Sequence, residues 1–397
     1  MSERTGAIIE SYKAILQKLR VSRAVSEACL AQTAELAAHP LDTRGTEDLR
    51  DRPFVTIDND DSRDLDQALF IEATATGFLV WYALADAAFF IRPGSPLYEH
   101  ALRQGTSHYF PGWSVPMLPA ELSEGVISLN PHVDRRAVVF RVALDTNGVV
   151  TAVSIKRAMI HSQAKLSYDG VQAWLDGKHH DHDNAPYAQS LRHLQTVGLL
   201  RMELAREREA IMFERYEPEV RLNDAADRFE VARRIRNDVE RYNEQISLLC
   251  NTEGARLMAE LGHSPQLQSV FRVHLPPLSQ RLAELQEVLD DIVKTHELGP
   301  QWQWKGQSLA DYLAQLPAGD EHARLRIAIE RQVRYANRSS DFSATVGPHF
   351  ALGVDHYARF TAPMREIVGI FTHKEALEVL GMQPASPRKT TNSFGTG

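Results

Sequence analysis

Residues 56–67 read T-I-D-N-D-D-S-R-D-L-D-Q and place aspartates at positions 58, 60, 61, 64 and 66. The apolar run FVTI leads straight into them, so the carboxylates begin at a strand end, where a site is held rigidly. Asp64 and Asp66 are two apart and in extended chain point to one side. Carboxylates that converge repel one another unless a cation neutralises them. A set of hard oxygen donors suits Mg²⁺, or Mn²⁺, and such ions activate water and stabilise the charge that develops on a phosphodiester under attack. Taken alone, the segment leaves a solvated acidic turn equally open. A calcium-binding EF-hand loop does not fit. Counted from Asp58, its glycine position holds Arg63 and its closing glutamate position holds Leu69.

The rest of the chain narrows the setting. Of its 397 residues, 43% are hydrophobic, enough for a sizeable core. Cys29 and Cys250 are far apart and form no metal-ligand spacing, which predicts a reduced, cytoplasmic protein. The N-terminus has no continuous apolar stretch of the signal-peptide kind, and no run is long enough to span a membrane. The formal charge of −8 weighs against nucleic-acid binding, but binding follows local potential, and an acidic surface can surround a basic channel.

Residues 1–40 read as two helices. Ile8, Ile9, Tyr12, Ile15 and Leu16 form the face of the first, and Val21, Ala24, Val25, Ala28 and Ala31 that of the second. PFVTID and GFLVWYALAD read as strands, and RAVVFRVALD with TNGVVTAVSIKRAMI as a hairpin turning at Asn147-Gly148. Residues 93–130 are dense in Pro and Gly and predict a long irregular connection. Beyond about residue 188 the pattern predicts helices, one of them across VARRIRNDVERYNEQISLLCNTEGARLMAEL. Residues 339–354 return to small residues and Gly, and a last helix follows Pro363.

Four blocks, in order, resemble the catalytic domain of the RNase II (RNB) family. They are the acidic segment; ALADAAFFIRPGSPLYEHALRQGTSHYFPGWSVPMLPAELSEGVISLNPHVDR (83–135); SQAKLSYDGVQAWLDG (162–177); and GPHFALGVDHYARFTAPMREIVGIFTHKEAL (347–377). The resemblance implies an α+β fold, a mixed sheet surrounded by helices with a channel that admits one strand. It also implies hydrolytic 3′-to-5′ degradation of single-stranded RNA to 5′-mononucleotides. The organisation expected is a small helical N-terminal segment over 1–50, the catalytic domain over 51–383 and a flexible tail over 384–397.

The resemblance assigns residues one by one. Asp58, Asp64 and Asp66 match three of the family's four metal-site aspartates. Gln67 stands at the fourth, where it offers one carbonyl oxygen and no charge, which lowers the expected affinity for one cation. Arg365 matches the arginine of the family's S-P-I-R motif, and its fork of donors suits phosphate oxygens and transition-state charge. Read from the residues alone, an ion pair with an acid such as Glu366 is equally open for it; Glu366 itself stands where many relatives carry a base. Tyr109 matches an aromatic that stacks on a base near the RNA 3′ end. Arg359 and Thr361 are expected phosphate contacts. His349, His356 and Glu244 read as structural. Family members usually carry RNA-binding β-barrels on both sides, and residues 1–50 and the stretch after the last helix suit neither paired cold-shock barrels nor an S1 barrel. This predicts a weaker grip on RNA. The rival expectation, from a different class, is an RNA-binding or scaffold protein that keeps this fold with weak or lost catalysis.

Overall fold

The structure, a computed structural model, describes residues 3–19, 21–39, 41–213, 216–223, 228–262 and 268–382. Two helices open the chain, α1 (Glu3–Leu19) and α2 (Glu27–Ala38), followed by a two-residue strand β1 (Glu47–Asp48). Then come β2 (Val55–Asp58), β3 (Gln67–Thr74), β4 (Gly77–Ala85), α3 (Ala87–Phe90), α4 (Pro96–Gln104), β5 (His108–Phe110) and β6 (Trp113–Val115). The long hairpin β7 (Asp134–Asp145) and β8 (Val150–His161) leads to β9 (Ala164–Ser167), α5 (Tyr168–Leu175) and α6 (Ala188–Glu207). The C-terminal half contains β10 (Tyr216–Leu222), β11 (Phe229–Ile235), α7 (Asp238–Leu261), β12 (Phe271–Val273), α8 (Ser279–Thr295), α9 (Leu309–Gln315), α10 (Ala323–Ala336), β13 (Asp341–Ser343) and α11 (Ile367–Val379).

The expected architecture is present: a mixed seven-stranded sheet in the order β1-β8-β7-β4-β3-β2-β9, flanked by helices. Its central strands are antiparallel, and the two outermost pairs, β1 with β8 and β2 with β9, are parallel. The alternation along β4 explains why GFLVWYALA is apolar throughout. Val80, Tyr82 and Leu84 pack on one face with α6 and α7, while Leu79, Trp81, Ala83 and Ala85 pack on the other with Cys29, Leu97 and Ile370. A third core, built on Leu289, Tyr312 and Val333, joins α8, α9 and α10. The β7–β8 turn falls at Asn147-Gly148 as expected, with the Asp145 carboxylate accepting from the Asn147 and Val149 amides and Gly148 at φ 79°.

Three expectations need correction. The second helix starts at Glu27, not near Val21, because Ser26 caps it by accepting from the Cys29 amide. The Pro- and Gly-rich stretch 93–130 is more ordered than a loop and contains α4 and the β5–β6 hairpin. The helix expected across VARRIRNDV begins only at Asp238. Asn237 and Glu240 form a reciprocal capping box that starts it there, and the residues before it pair as β11 with β10. The tail expected over 384–397 lies outside the described residues.

Candidate active site

The acidic loop hangs between β2 and β3, and the sheet anchors both of its ends. Asp58 pairs with Ser167 of β9, and the Asp66 carbonyl accepts from the Ala85 amide at 2.8 Å. Between them Leu65 is buried, its amide donating to Ser128 Oγ at 3.0 Å. Lys165 Nζ donates to the carbonyls of Asp60 (2.7 Å) and Ser62 (2.5 Å). The loop is thus tied down largely through its backbone.

Each aspartate meets a different environment. Asp66 is buried, 1% exposed. Its Oδ1 accepts from the Met364 amide at 2.9 Å and its Oδ2 from Arg365 Nε at 2.5 Å. Asp64 Oδ2 accepts from the Tyr109 hydroxyl at 2.9 Å. Asp58 Oδ1 accepts from the Asn59 amide (2.8 Å) and Ser62 Oγ (2.9 Å). Asp60 and Asp61 lie exposed on the loop. Burial pushes the Asp66 carboxyl up to about 6 against the pull of Arg365 and the Met364 amide, and Asp64 adds to the push. The Asp66 charge holds Arg365 above its ordinary range, with Tyr109 and Asp64 acting in the same sense. Burial raises the Tyr168 phenol to about 12, with the Asp58 charge the next contribution and Arg365 opposing it. Asp58, Asp64, Asp66, Tyr109 and Arg365 therefore share one electrostatic neighbourhood.

Gln67 lies outside this group. Its Oε1 accepts from the Tyr82 hydroxyl and from Ser247 Oγ (3.2 Å), so the one oxygen an amide could offer a cation is already engaged. Successive side chains at a strand start point to opposite faces, and Asp66 and Gln67 do so here. Among the described residues, no three His, Cys, Asp or Glu side chains are drawn into a ready-made cation cage.

The segment 357–366 supplies the opposite wall. Arg365 takes Asp66 as its acid, and Glu366 instead pairs with Arg359, whose Nε lies 3.1 Å from Glu366 Oε2. The Arg365 carbonyl accepts from the Ser107 amide (2.9 Å) and Thr106 Oγ1 (3.0 Å), which ties the wall to the strand that carries Tyr109. Thr361 Oγ1 accepts from Asn251 Nδ2 at 3.3 Å. Sequence reasoning missed Asn251, a buried residue of α7. It also accepts from the Phe360 amide at 2.8 Å and donates to the Tyr357 hydroxyl at 3.1 Å. An asparagine directly after the apolar run Ile246–Cys250, interrupted there by Ser247 alone, was the available signal. Below it, Gly369 brings α11 so close to Pro363 that an added Cβ would lie 2.8 Å from Pro363 Cα.

A mixed sheet whose edge opens into a carboxylate loop, met by an arginine from the C-terminal third, defines an α+β class of acidic-site domain. The chain belongs to the RNB family, whose profile, described as the RNB domain, matches residues 46–380. It is 31% identical over 356 residues to Ribonuclease R of Escherichia coli (strain K12), covering 88% of this chain and 42% of that protein. The chain thus spans about two fifths of the length of these curated relatives. Among solved structures, Mycoplasma genitalium RNase R in complex with ribose-methylated single-stranded RNA superposes with a TM-score of 0.82 at 24% identity. That match covers 96% of this chain and 58% of the other. Yeast Ssd1, described as a pseudonuclease, shares the fold with a TM-score of 0.67 at 16% identity, over 88% of this chain and 42% of its own.

Proposed function

We propose that this chain is a metal-dependent hydrolase that shortens single-stranded RNA from its 3′ end and releases 5′-mononucleotides. The observation that carries the reading is the Asp66–Arg365 pair. It fixes a guanidinium, 35% exposed and bonded to Asp66 through Nε alone, beside Asp64 and Tyr109. A guanidinium held in this way presents its terminal N–H groups to a phosphate without having to be ordered first. Asp66 acts as its positioning partner.

The donor set fits a hard cation. Asp58 Oδ2 and Asp64 Oδ1 accept no hydrogen bond among the described residues. Mg²⁺ commonly binds through one or two carboxylates and keeps several waters. Asp58 and Asp64 would hold Mg²⁺, or Mn²⁺, and the ion when bound supplies activated water and neutralises developing charge. Tyr109, 60% exposed, offers its ring to a base; stacking of this kind tolerates any sequence. Arg359 and Thr361 stand on the same wall for backbone contacts. No helix among the described residues is long and apolar enough to cross a membrane. The reading places the protein in the cytoplasm.

The test is a 5′-labelled single-stranded RNA incubated with Mg²⁺. Stepwise shortening from the 3′ end, abolished by Asp64→Asn, supports the reading. The engaged oxygen of Gln67 favours a second reading, RNA binding with weak or lost catalysis. Binding without shortening in both Mg²⁺ and Mn²⁺ selects that one.

A further inference from the structure

Phe342 sits on β13 directly opposite Arg272 of β12. Its ring is 51% exposed, an apolar surface left open to water at the edge of a cavity of about 560 Å³. The Arg272 guanidinium covers the ring from 4.4 Å above its centroid. Two bonds hold this arginine in place: its Nε donates to Ser340 Oγ at 3.0 Å and its backbone amide to the Tyr357 carbonyl at 2.8 Å. Its terminal nitrogens meet no carboxylate among the described residues. The other charges lining the cavity are paired, Arg359 with Glu366 and Glu244 with Arg236. The cavity therefore presents a guanidinium that pairs with no carboxylate among the described residues, stacked on a half-exposed aromatic ring.

This cavity adjoins the site already described and shares Arg359 with its wall. Its lining includes Glu366, next in the chain to Arg365, and Leu248, next to the Ser247 that bonds Gln67. Thr106, which also lines it, donates to the Arg365 carbonyl. Its volume falls within the ~300–1,000 Å³ range of small-ligand sites, room for a base and its phosphate. We infer that Phe342 and Arg272 form a separate subsite for one unpaired nucleotide upstream of the bond under attack, the base on the open face of Phe342 and its phosphate on the terminal N–H groups of Arg272. The inference rests on the single-stranded RNA reading of the Asp66–Arg365 site. A stacked base supplies affinity without sequence preference, and the arginine adds a salt-sensitive contact.

The experiment is equilibrium binding of the full chain to fluorescent oligouridylates of increasing length, in EDTA so that nothing is hydrolysed. Phe342→Leu keeps an apolar side chain and loses the ring, and Phe342→Trp keeps an aromatic face. For strands long enough to enter the cavity, Phe342→Leu weakens binding about five- to a hundredfold and Phe342→Trp preserves it. A dinucleotide binds all three proteins alike. Arg272→Gln flattens the slope of log affinity against log salt by about 0.7. Equal affinities of Phe342→Leu and Phe342→Trp for long strands overturn the subsite while leaving the catalytic reading in place. A wild-type chain that binds no RNA overturns both.

Discussion

Asp66 and Arg365, 299 positions apart in the chain, meet with 2.5 Å between Oδ2 and Nε, the carboxylate fully buried and the guanidinium reaching solvent. The two ends of this pair are not equivalent, and neither are their replacements. Asp66→Asn removes a buried charge, keeps an acceptor for the Met364 amide and leaves an arginine that water can still reach. It is expected to lower stability by less than about 2 kcal/mol. Arg365→Leu strands an ionised carboxylate in the core and is expected to cost about 2–4 kcal/mol at pH 8. The Asp66 carboxyl already stands at about 6 in the fold, above its ordinary 3.8, so its ionisation opposes folding. Stability from such a group is present at low pH and lost as pH rises through the folded value. Without Arg365 that value rises further, so the Arg365→Leu deficit shrinks between pH 8 and pH 5, while that of Asp66→Asn, which removes the titrating group, grows by about 1 kcal/mol as the wild type gains stability. Urea unfolding at the two pH values checks this, and the opposite ranking refutes it. Both variants lose RNA shortening by roughly a hundredfold or more.

Gln67 provides a gain-of-function test. The Tyr82 and Ser247 hydroxyls now donate to its amide oxygen. An aspartate is one methylene shorter, so it draws back from these hydroxyls, keeps lone pairs for a cation and adds a charge next in the chain to Asp66. Gln67→Asp is therefore expected to tighten Mn²⁺ binding on the order of tenfold, since affinity for hard cations follows the charge of the ligand set. Titration calorimetry of Mn²⁺ into both proteins measures it without reference to turnover. An unchanged dissociation constant shows that position 67 does not reach the ion.

Much of this architecture was legible before the fold was known, and the exceptions share a cause. The acidic loop, the β7–β8 hairpin and the apolar run of β4 are written in local pattern. Asp58, Asp64 and Arg365 could be placed on ordered blocks of the sequence. The partner of Arg365 could not. Glu366 is its neighbour in the chain, yet Asp66 pairs with it, because the turn after Pro363 delivers Arg365 to the sheet end and leaves Glu366 to Arg359. The engagement of Gln67 was equally hidden, since Tyr82 and Ser247 come from β4 and α7. The β10–β11 hairpin was missed for a local reason: the charged stretch before Asn237 scans as helix, and only the capping box at Asn237 and Glu240 marks where the helix begins.

Asn251 holds the segment that carries Arg365. Its buried side chain bonds the Phe360 amide and the Tyr357 hydroxyl, and the half-buried Thr361 Oγ1. Asn251→Ala leaves the Phe360 amide without its acceptor and is expected to cost about 2–4 kcal/mol, from one orphaned buried donor plus the lost neutral bonds. Asn251→Asp keeps the acceptor and accepts from Tyr357, so its loss is smaller. If the segment positions Arg365, RNA shortening under saturating RNA falls more in Asn251→Ala than in Asn251→Asp, at temperatures where both remain folded. Thermal unfolding with single-turnover kinetics checks both halves. Equal rates in the two variants would show that the segment holds its shape without this side chain.

His373 makes the fold sensitive to acid from beneath the same segment. It is fully buried in α11, with Nε2 2.9 Å from the Phe360 carbonyl and its ring stacked at 5.9 Å on Phe360. Its Nδ1 has no hydrogen-bond partner among the described residues, so a second proton there would be unsolvated. Burial pushes the imidazole down to about 4 from its usual 6.5. The folded state therefore binds fewer protons than the unfolded one between those values. Its stability is complete above pH 6.5 and declines as pH falls toward 4, by up to ~3 kcal/mol for this fully buried ring. Asp66 works in the opposite direction over much of the same range, and His349 in the same direction, so the pH profile of the wild type alone is not diagnostic. The difference between proteins is. His373→Gln retains a donor for the Phe360 carbonyl and cannot take up a proton. It is expected to be less stable than wild type at pH 7.5, where the stacking is lost, and to close or reverse that gap at pH 4.5. A gap of constant size across that range, measured by urea unfolding, would show that the ring is reached by water and titrates normally.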